Sequence, residues 1–340
     1  MGGAASLAIA GLCAGGAIAA PDPPRTKLVP LSMFAGELGA WSPDSGQFAV
    51  PGTKKISLIG VDGKVRRNLR GPGIGYFGFP CECSVAWTAD GSRIQFVSQE
   101  EELGETSVIG SVAADGSGEE DRELGVPIGS AGWAPSGWPL VYVPNARTWD
   151  AVTGKALGPN PDLWRLEGLQ AKPEKILASP GTEWDPRFSP DGARIAFQLE
   201  RRGSTSLWVV NADGSDPRRL TGPLLGSSED SWSPDGRQIA LTTFSRQKGD
   251  RRCHLYVLSA NGGRPRKIVD EEVRTIGPAW TPDGRWITFA NYHGQIRKVR
   301  PDGTGLQTVA EFPGKEVSGL SWSPDGRHLT YSARTPPHTD

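Results

Sequence analysis

Trp232-Ser-Pro-Asp-Gly236 is one phrase in a series that recurs along the chain. Trp41-Ser-Pro-Asp44, Phe188-Ser-Pro-Asp-Gly192, Trp280-Thr-Pro-Asp-Gly284 and Trp322-Ser-Pro-Asp-Gly326 repeat it. Trp87-Thr-Ala-Asp-Gly91 and Trp133-Ala-Pro-Ser-Gly137 are weaker copies. The aromatic anchors stand at 41, 87, 133, 188, 232, 280 and 322, so the steps are 46, 46, 55, 44, 48 and 42 residues. A period in the forties made of short strands and tight turns predicts an all-β fold, a single β-propeller. Seven anchors predict seven blades. The Trp133 copy is the most degenerate, so six radial sheets with 133–178 as an excursion is the competing count.

Each phrase has a physical reading. Proline presets φ at the second position of a tight turn, aspartate tolerates the third, and glycine takes the left-handed conformation that closes it. Apolar runs follow, such as Arg194-Ile-Ala-Phe197 and Gln238-Ile-Ala-Leu241, then third strands such as Ser206-Leu-Trp-Val-Val210 and His254-Leu-Tyr-Val-Leu258. A second turn, as at Ala212-Asp-Gly-Ser215, leads to a short fourth strand. Four strands make one blade, which cannot bury both faces alone, so blades must stack in a ring.

The run Asn211-Ala-Asp-Gly-Ser-Asp-Pro-Arg-Arg-Leu-Thr221, with the Ser-Pro-Asp-Gly turns, resembles the repeats of the TolB-like propellers, a WD40-like Pro-Asp repeat family. The resemblance covers about residues 37 to 333. It implies the propeller fold and little about function, because such repeats serve periplasmic scaffolds, peptidase gating domains and sugar-processing enzymes. Bacterial TolB carries an α/β domain before its propeller. This chain has only about fifteen residues between a leader-like stretch and its first blade, and so resembles TolB in the propeller alone.

The expected organisation is a signal-peptide-like segment over 1–19, a linker and closing strand over 20–36, the propeller over 37–333 and a tail over 334–340. Leu7 to Ile18 is small, apolar and uncharged, too short for a comfortable membrane span, and Ala17-Ile-Ala19 fits a signal-peptidase site. This predicts a periplasmic or secreted protein without a transmembrane span. With 37 basic and 38 acidic residues the net charge is −1, which supplies no global field for nucleic acid. Cys81, Cys83 and Cys253 form no disulfide framework and no zinc set.

Labelled A to D outward from the channel, the strands put the uniform A–B and C–D turns on one face and the variable B–C and D–A loops on the other. Variable loops on a rigid scaffold are where binding concentrates. The candidate binding residues are Tyr76, Phe77 and Phe79 in a glycine-rich loop, Glu101 and Glu102 in an acidic one, and Arg251 and Arg252 in a basic one. Trp149 lies in the insert of blade three, Asp185 and Asp230 precede A-strand anchors, and His293 occupies the tight connection Asn291-Tyr-His-Gly294. Each also reads as ordinary structure: charged loops as solvated surface, Trp149 as packed down, His293 as a surface histidine. No Gly-x-Ser-x-Gly elbow and no His-x-x-x-His pair is present, so no catalytic residue, metal or cofactor is assigned. The reading is a monomeric, non-catalytic propeller that binds a protein or envelope component. The alternative is a lyase or hydrolase acting on a carbohydrate or small molecule at the channel mouth.

Ring closure completes the expectations. Beyond Trp322 the chain offers one good strand, 328–333. Thr26-Lys-Leu-Val-Pro-Leu-Ser32 stands where a D strand belongs and is expected to supply the outer strand of the last blade, leaving that blade with as few as three strands.

Overall fold

The computed structural model describes residues 26–31, 39–51, 55–70, 84–99, 106–145, 162–224, 230–244, 252–274 and 277–336. Seven sheets follow one another along the chain, six of four strands and the last of three. The Trp133 copy is a true blade, with strands Ile128–Ala134, Gly137–Pro144, Leu163–Leu166 and Glu174–Leu177. The extra length of its period falls between its second and third strands. Blade four is the most regular, with strands Thr182–Phe188, Arg194–Arg201, Ser204–Asn211 and Arg218–Arg219. Every blade from one to six is an antiparallel meander in chain order, so A–B and C–D turns share one face and B–C and D–A loops the other.

The repeated turn carries a role for its first polar residue that the sequence reading left unassigned. The Ser233 hydroxyl donates to Asp235 Oδ1 at 2.6 Å and accepts the Gln238 N–H at 2.9 Å, while Asp235 accepts the Arg237 N–H at 3.0 Å. The same bonds recur at Ser42, Thr88, Ser189, Thr281 and Ser323. Glycine closes the turn at positive φ, 67° at Gly236. In blade one Ser45 takes that conformation instead, at 61°, and its hydroxyl accepts the Asp325 N–H of blade seven at 3.1 Å. A serine tolerates the left-handed region there because it bonds across the ring closure.

These hydrogen bonds set an acid dependence. The partner hydroxyls and then the backbone N–H groups hold the carboxyls of Asp44, Asp90, Asp191 and Asp235 below their ordinary value, Asp90 down to about 2. A folded pKa below the unfolded one gives stability that is present above the unfolded value and lost as pH falls through the folded one. The thermal midpoint should therefore hold near pH 6 and fall steeply below about pH 4. An Asp44→Asn, Asp191→Asn, Asp235→Asn variant should melt lower at pH 6, and its gap to the parent should narrow as pH falls below about 4. Parallel curves across that range would exclude the turns as the source.

The anchors clasp neighbouring blades. The Trp87 indole N–H donates to the Ala40 carbonyl at 3.0 Å, Trp232 to Arg187 at 3.2 Å, Trp280 to Ser231 at 3.0 Å and Trp41 to Ser321 at 3.2 Å. Each acceptor is the residue just before the anchor of the preceding blade. Between blades six and seven Thr288 intervenes, accepting from Trp322 at 3.1 Å and donating to the Ala279 carbonyl at 2.9 Å. Blade three breaks the series on both sides. Trp133 Nε1 is buried without a partner, and Phe188 has no N–H to give. Core clusters fill the seams, as where Leu207, Val209 and Leu220 of blade four pack with Trp232, Ile239 and Leu258 of blade five.

The last blade pairs Glu316–Trp322 with His328–Arg334 and adds Lys27–Pro30 as its outer strand. The added strand runs parallel to 328–331, Lys27 opposite His328 and Pro30 opposite Tyr331. In an up-and-down blade a D strand runs parallel to B and is separated from it by C. Here the N-terminal strand keeps the D direction and lies directly against B, in C's place.

Candidate functional site

A cavity of about 390 Å³ lies on the axis, walled by the A strands of blades four to seven, by the A–B turn prolines Pro190, Pro234 and Pro282, and by Gly39. The residues just before the seven anchors are Ala40, Ala86, Gly132, Arg187, Ser231, Ala279 and Ser321. Six are small, which lets the A strands approach around the channel and leaves the carbonyls open to the indole clasps. Arg187 alone is large, and it lines the cavity with Asp230, Ser231, Leu320 and Ser321.

Asp185 fixes that arginine. The chain bulges between Trp184 and Arg187, and Asp185 sits in the left-handed region at φ 50°. Its N–H donates to Ser130 Oγ of blade three at 3.0 Å, and its carboxylate receives Arg187 at 3.0 to 3.2 Å. Asp185 is therefore part of an ion pair, not an isolated carboxylate at the mouth. Asp230, at the start of the blade-five A strand, is buried and faces the same cavity. The structure thus brings Asp230 together with an arginine that the sequence reading did not single out. The signal was available, since position 187 is the one bulky residue in an otherwise small set.

The other sequence-predicted residues divide. Tyr76, Phe77, Phe79, Glu101, Glu102, Trp149 and Arg251 lie outside the described residues, as do Cys81 and Cys83. Arg252 is exposed directly before the C strand Cys253–Ser259 of blade five. His293 is exposed on its turn, where its N–H donates to Asn291 Oδ1 at 3.1 Å. Beneath that turn lies a polar network. Asn291 Nδ2 donates to Gln295 Oε1 at 2.9 Å, and Arg297 meets Glu271 Oε2 at 3.2 Å. Glu316 receives Arg334 at 2.6 Å and Arg274 at 3.5 Å, and Arg274 also stacks over the Tyr292 ring at 5.0 Å. Tyr292 is 51% exposed and held from below, a contact residue the sequence reading passed over beside His293. Cys253 is buried, and burial, aided by the charge of Glu272, pushes its thiol up to about 12, out of the range of a reactive thiolate. Among the described residues no three His, Cys, Asp or Glu side chains come together as a metal-binding group. The Asn211–Ser215 stretch is a hairpin turn, with the Ser215 N–H bonded to Asp213 Oδ1 at 2.9 Å.

A sequence model described as the TolB beta propeller domain matches residues 160–339, just over half of the chain. The Tol-Pal system protein TolB of Anaeromyxobacter dehalogenans is 33% identical over 92 residues, 27% of this chain and 18% of that protein. An uncharacterized peptidase, YuxL, of Bacillus subtilis is 42% identical over 59 residues, 17% of this chain and 9% of that protein. The matches therefore span well under two thirds of these relatives. Among solved structures, an oligogalacturonate lyase in complex with manganese superposes with a TM-score of 0.63 at 17% identity, over 85% of this chain and 83% of that one. That likeness is one of fold.

Proposed function

The chain belongs to the TolB β-propeller domain family, and from that membership we propose an exported, non-catalytic scaffold that binds a protein or cell-envelope component. Binding uses the B–C and D–A loop face around the channel mouth. The observation that carries this reading is the asymmetry of the two faces. One is paved with near-identical hydrogen-bonded turns. The other presents varied loops, and between the two faces the axial cavity bears one large cation, Arg187, oriented by Asp185. A rigid polar network under Tyr292 adds a fixed aromatic contact on that face, the kind of group that anchors protein interfaces. No helix among the described residues is long and apolar enough to cross a membrane, and the leader-like N-terminal segment supports export.

Parent and variant chains immobilised against an envelope fraction test the reading. Arg187→Ala and Tyr292→Ala should each reduce capture of the same partner, whereas Arg285→Glu on the turn face should not. With the partner purified, reversing Arg251 and Arg252 to Glu should slow association about tenfold at low salt and flatten its salt dependence, with the melting curve unchanged. Equal capture by all variants would remove the loop face from the interface.

A further inference from the structure

We propose that the seam between blades three and four is a proton-controlled joint in the ring, held shut by a neutral carboxyl at Glu183 and loosened when its proton leaves. This stands apart from the binding reading and does not rest on it. Glu183 is the second residue of the blade-four A strand Thr182–Phe188. It is 0% exposed, and its carboxyl oxygens make no well-formed hydrogen bond, with the Ser179 hydroxyl close by. A buried carboxylate in that state is heavily penalised, and the neutral acid far less.

The groups around it do not relieve the charge. From blade three come Asp162, 2% exposed, and Lys175 of the D strand, and these two pair at 2.6 Å. Lys175 also lies over the Trp164 ring at 5.3 Å. The residue opposite Glu183 on its own sheet is Leu199, and Ser179 lies in the segment leading into the strand. Lys175 is thus committed to Asp162, and an ionised Glu183 would face a second carboxylate. Burial pushes the Glu183 carboxyl up to about 7, with the charge of Asp162 adding to this and the Ser179 hydroxyl and Lys175 opposing it.

The place matters as much as the group. Blade three is the blade whose two seams lack an indole clasp. Its link to blade four is a shared core, where Val141, Val143 and Leu163 pack with Phe188, Phe197 and Leu199, joined by the Asp185 N–H to Ser130 Oγ at 3.0 Å, Arg165 to the Ala212 carbonyl at 3.1 Å and the close packing of Gly132 on the Pro186 carbonyl. A charge appearing here acts inside a seam that is held by packing and has no indole clasp. Because the folded value lies above the ordinary 4.5, the stabilisation is full below that pH and is lost as pH rises through about 7.

Hydrogen exchange on the full chain at pH 5 and pH 8, corrected for intrinsic rates, tests this with parent, Glu183→Gln and Glu183→Leu. In the parent, amides of 128–144 and 182–201 should lose about tenfold more protection at pH 8 than those of blades five and six. Both variants should keep that protection, and both should melt above the parent at pH 8 yet close to it at pH 5. The proposal is overturned if the variants follow the parent's pH dependence or if protection falls evenly across all seven blades. Failure of both variants to fold also overturns it, since the carboxyl would then be a fixed structural group.

Discussion

A chain lacking residues 21–34 is expected to melt at least about 10 °C below the parent and to aggregate on warming. The closing strand is short, but it is shared by two blades. Its backbone pairs with 328–331, and the Lys27 and Leu31 N–H groups donate to the Arg327 and Tyr331 carbonyls at 2.9 and 2.7 Å. Its side chains serve blade one, because Val29 and Leu31 pack in a cluster with Trp41, Phe48, Val50 and Ile59. Val29 is 0% and Leu31 5% exposed. Two such burials contribute about 3–6 kcal/mol, a large part of the margin of an ordinary domain. Removal also exposes the B-strand edge 328–331 as a template for intermolecular pairing. The intact closing strand is itself poorly suited to pairing on its outer side. With the Lys27 and Leu31 N–H groups turned inward, the outward backbone positions are 28 and 30, and Pro30 has no N–H to offer. Differential scanning with light scattering reads both effects. A parental melt without aggregation would mean that the ring closes elsewhere.

The architecture was legible in the sequence because the turn chemistry is local. Proline, aspartate and glycine at fixed offsets specify the A–B turn wherever they occur, and the strands between turns are too short to be anything but β. Blade three was harder, since Ala134 and Ser136 stand where the other turns have serine or threonine and aspartate, and only its aromatic, proline and glycine marked it. The pairing partner of the closing strand was not legible. Position along the chain indicates D, whereas its neighbour depends on which strands the last blade has. The candidate site was the least legible part. Arg187 becomes notable only when seven positions in seven blades are compared, because their side chains meet on an axis that no local pattern records. Glu183 carries no signal at all. A glutamate ahead of an anchor reads as hydrated surface until burial by a neighbouring blade is known, and this is a property of the ring, not of the strand.

Trp232→Ala is expected to cost about 3–5 kcal/mol, the range for deleting a large aromatic from a core. Trp232 is 8% exposed and packs among residues of blades four and five, with the Arg194 guanidinium 5.1 Å from its ring centre. Its indole N–H adds the clasp to Arg187. The two contributions can be separated. Trp232→Phe keeps most of the packing and removes the donor, so it should cost about 0.5–1.5 kcal/mol for the hydrogen bond plus a smaller packing loss. The Arg187 carbonyl lies at the channel wall, where water can replace the indole, which favours the lower end. Trp133→Phe is the matched control, because Trp133 Nε1 has no partner and its removal relieves a buried donor instead of breaking a bond. The expected order of urea midpoints is therefore Trp133→Phe closest to the parent, then Trp232→Phe, then Trp232→Ala far below. If Trp232→Ala melts like the parent, the anchors do not hold the ring. If the two phenylalanine variants lose equal stability, the indole contributes by packing alone.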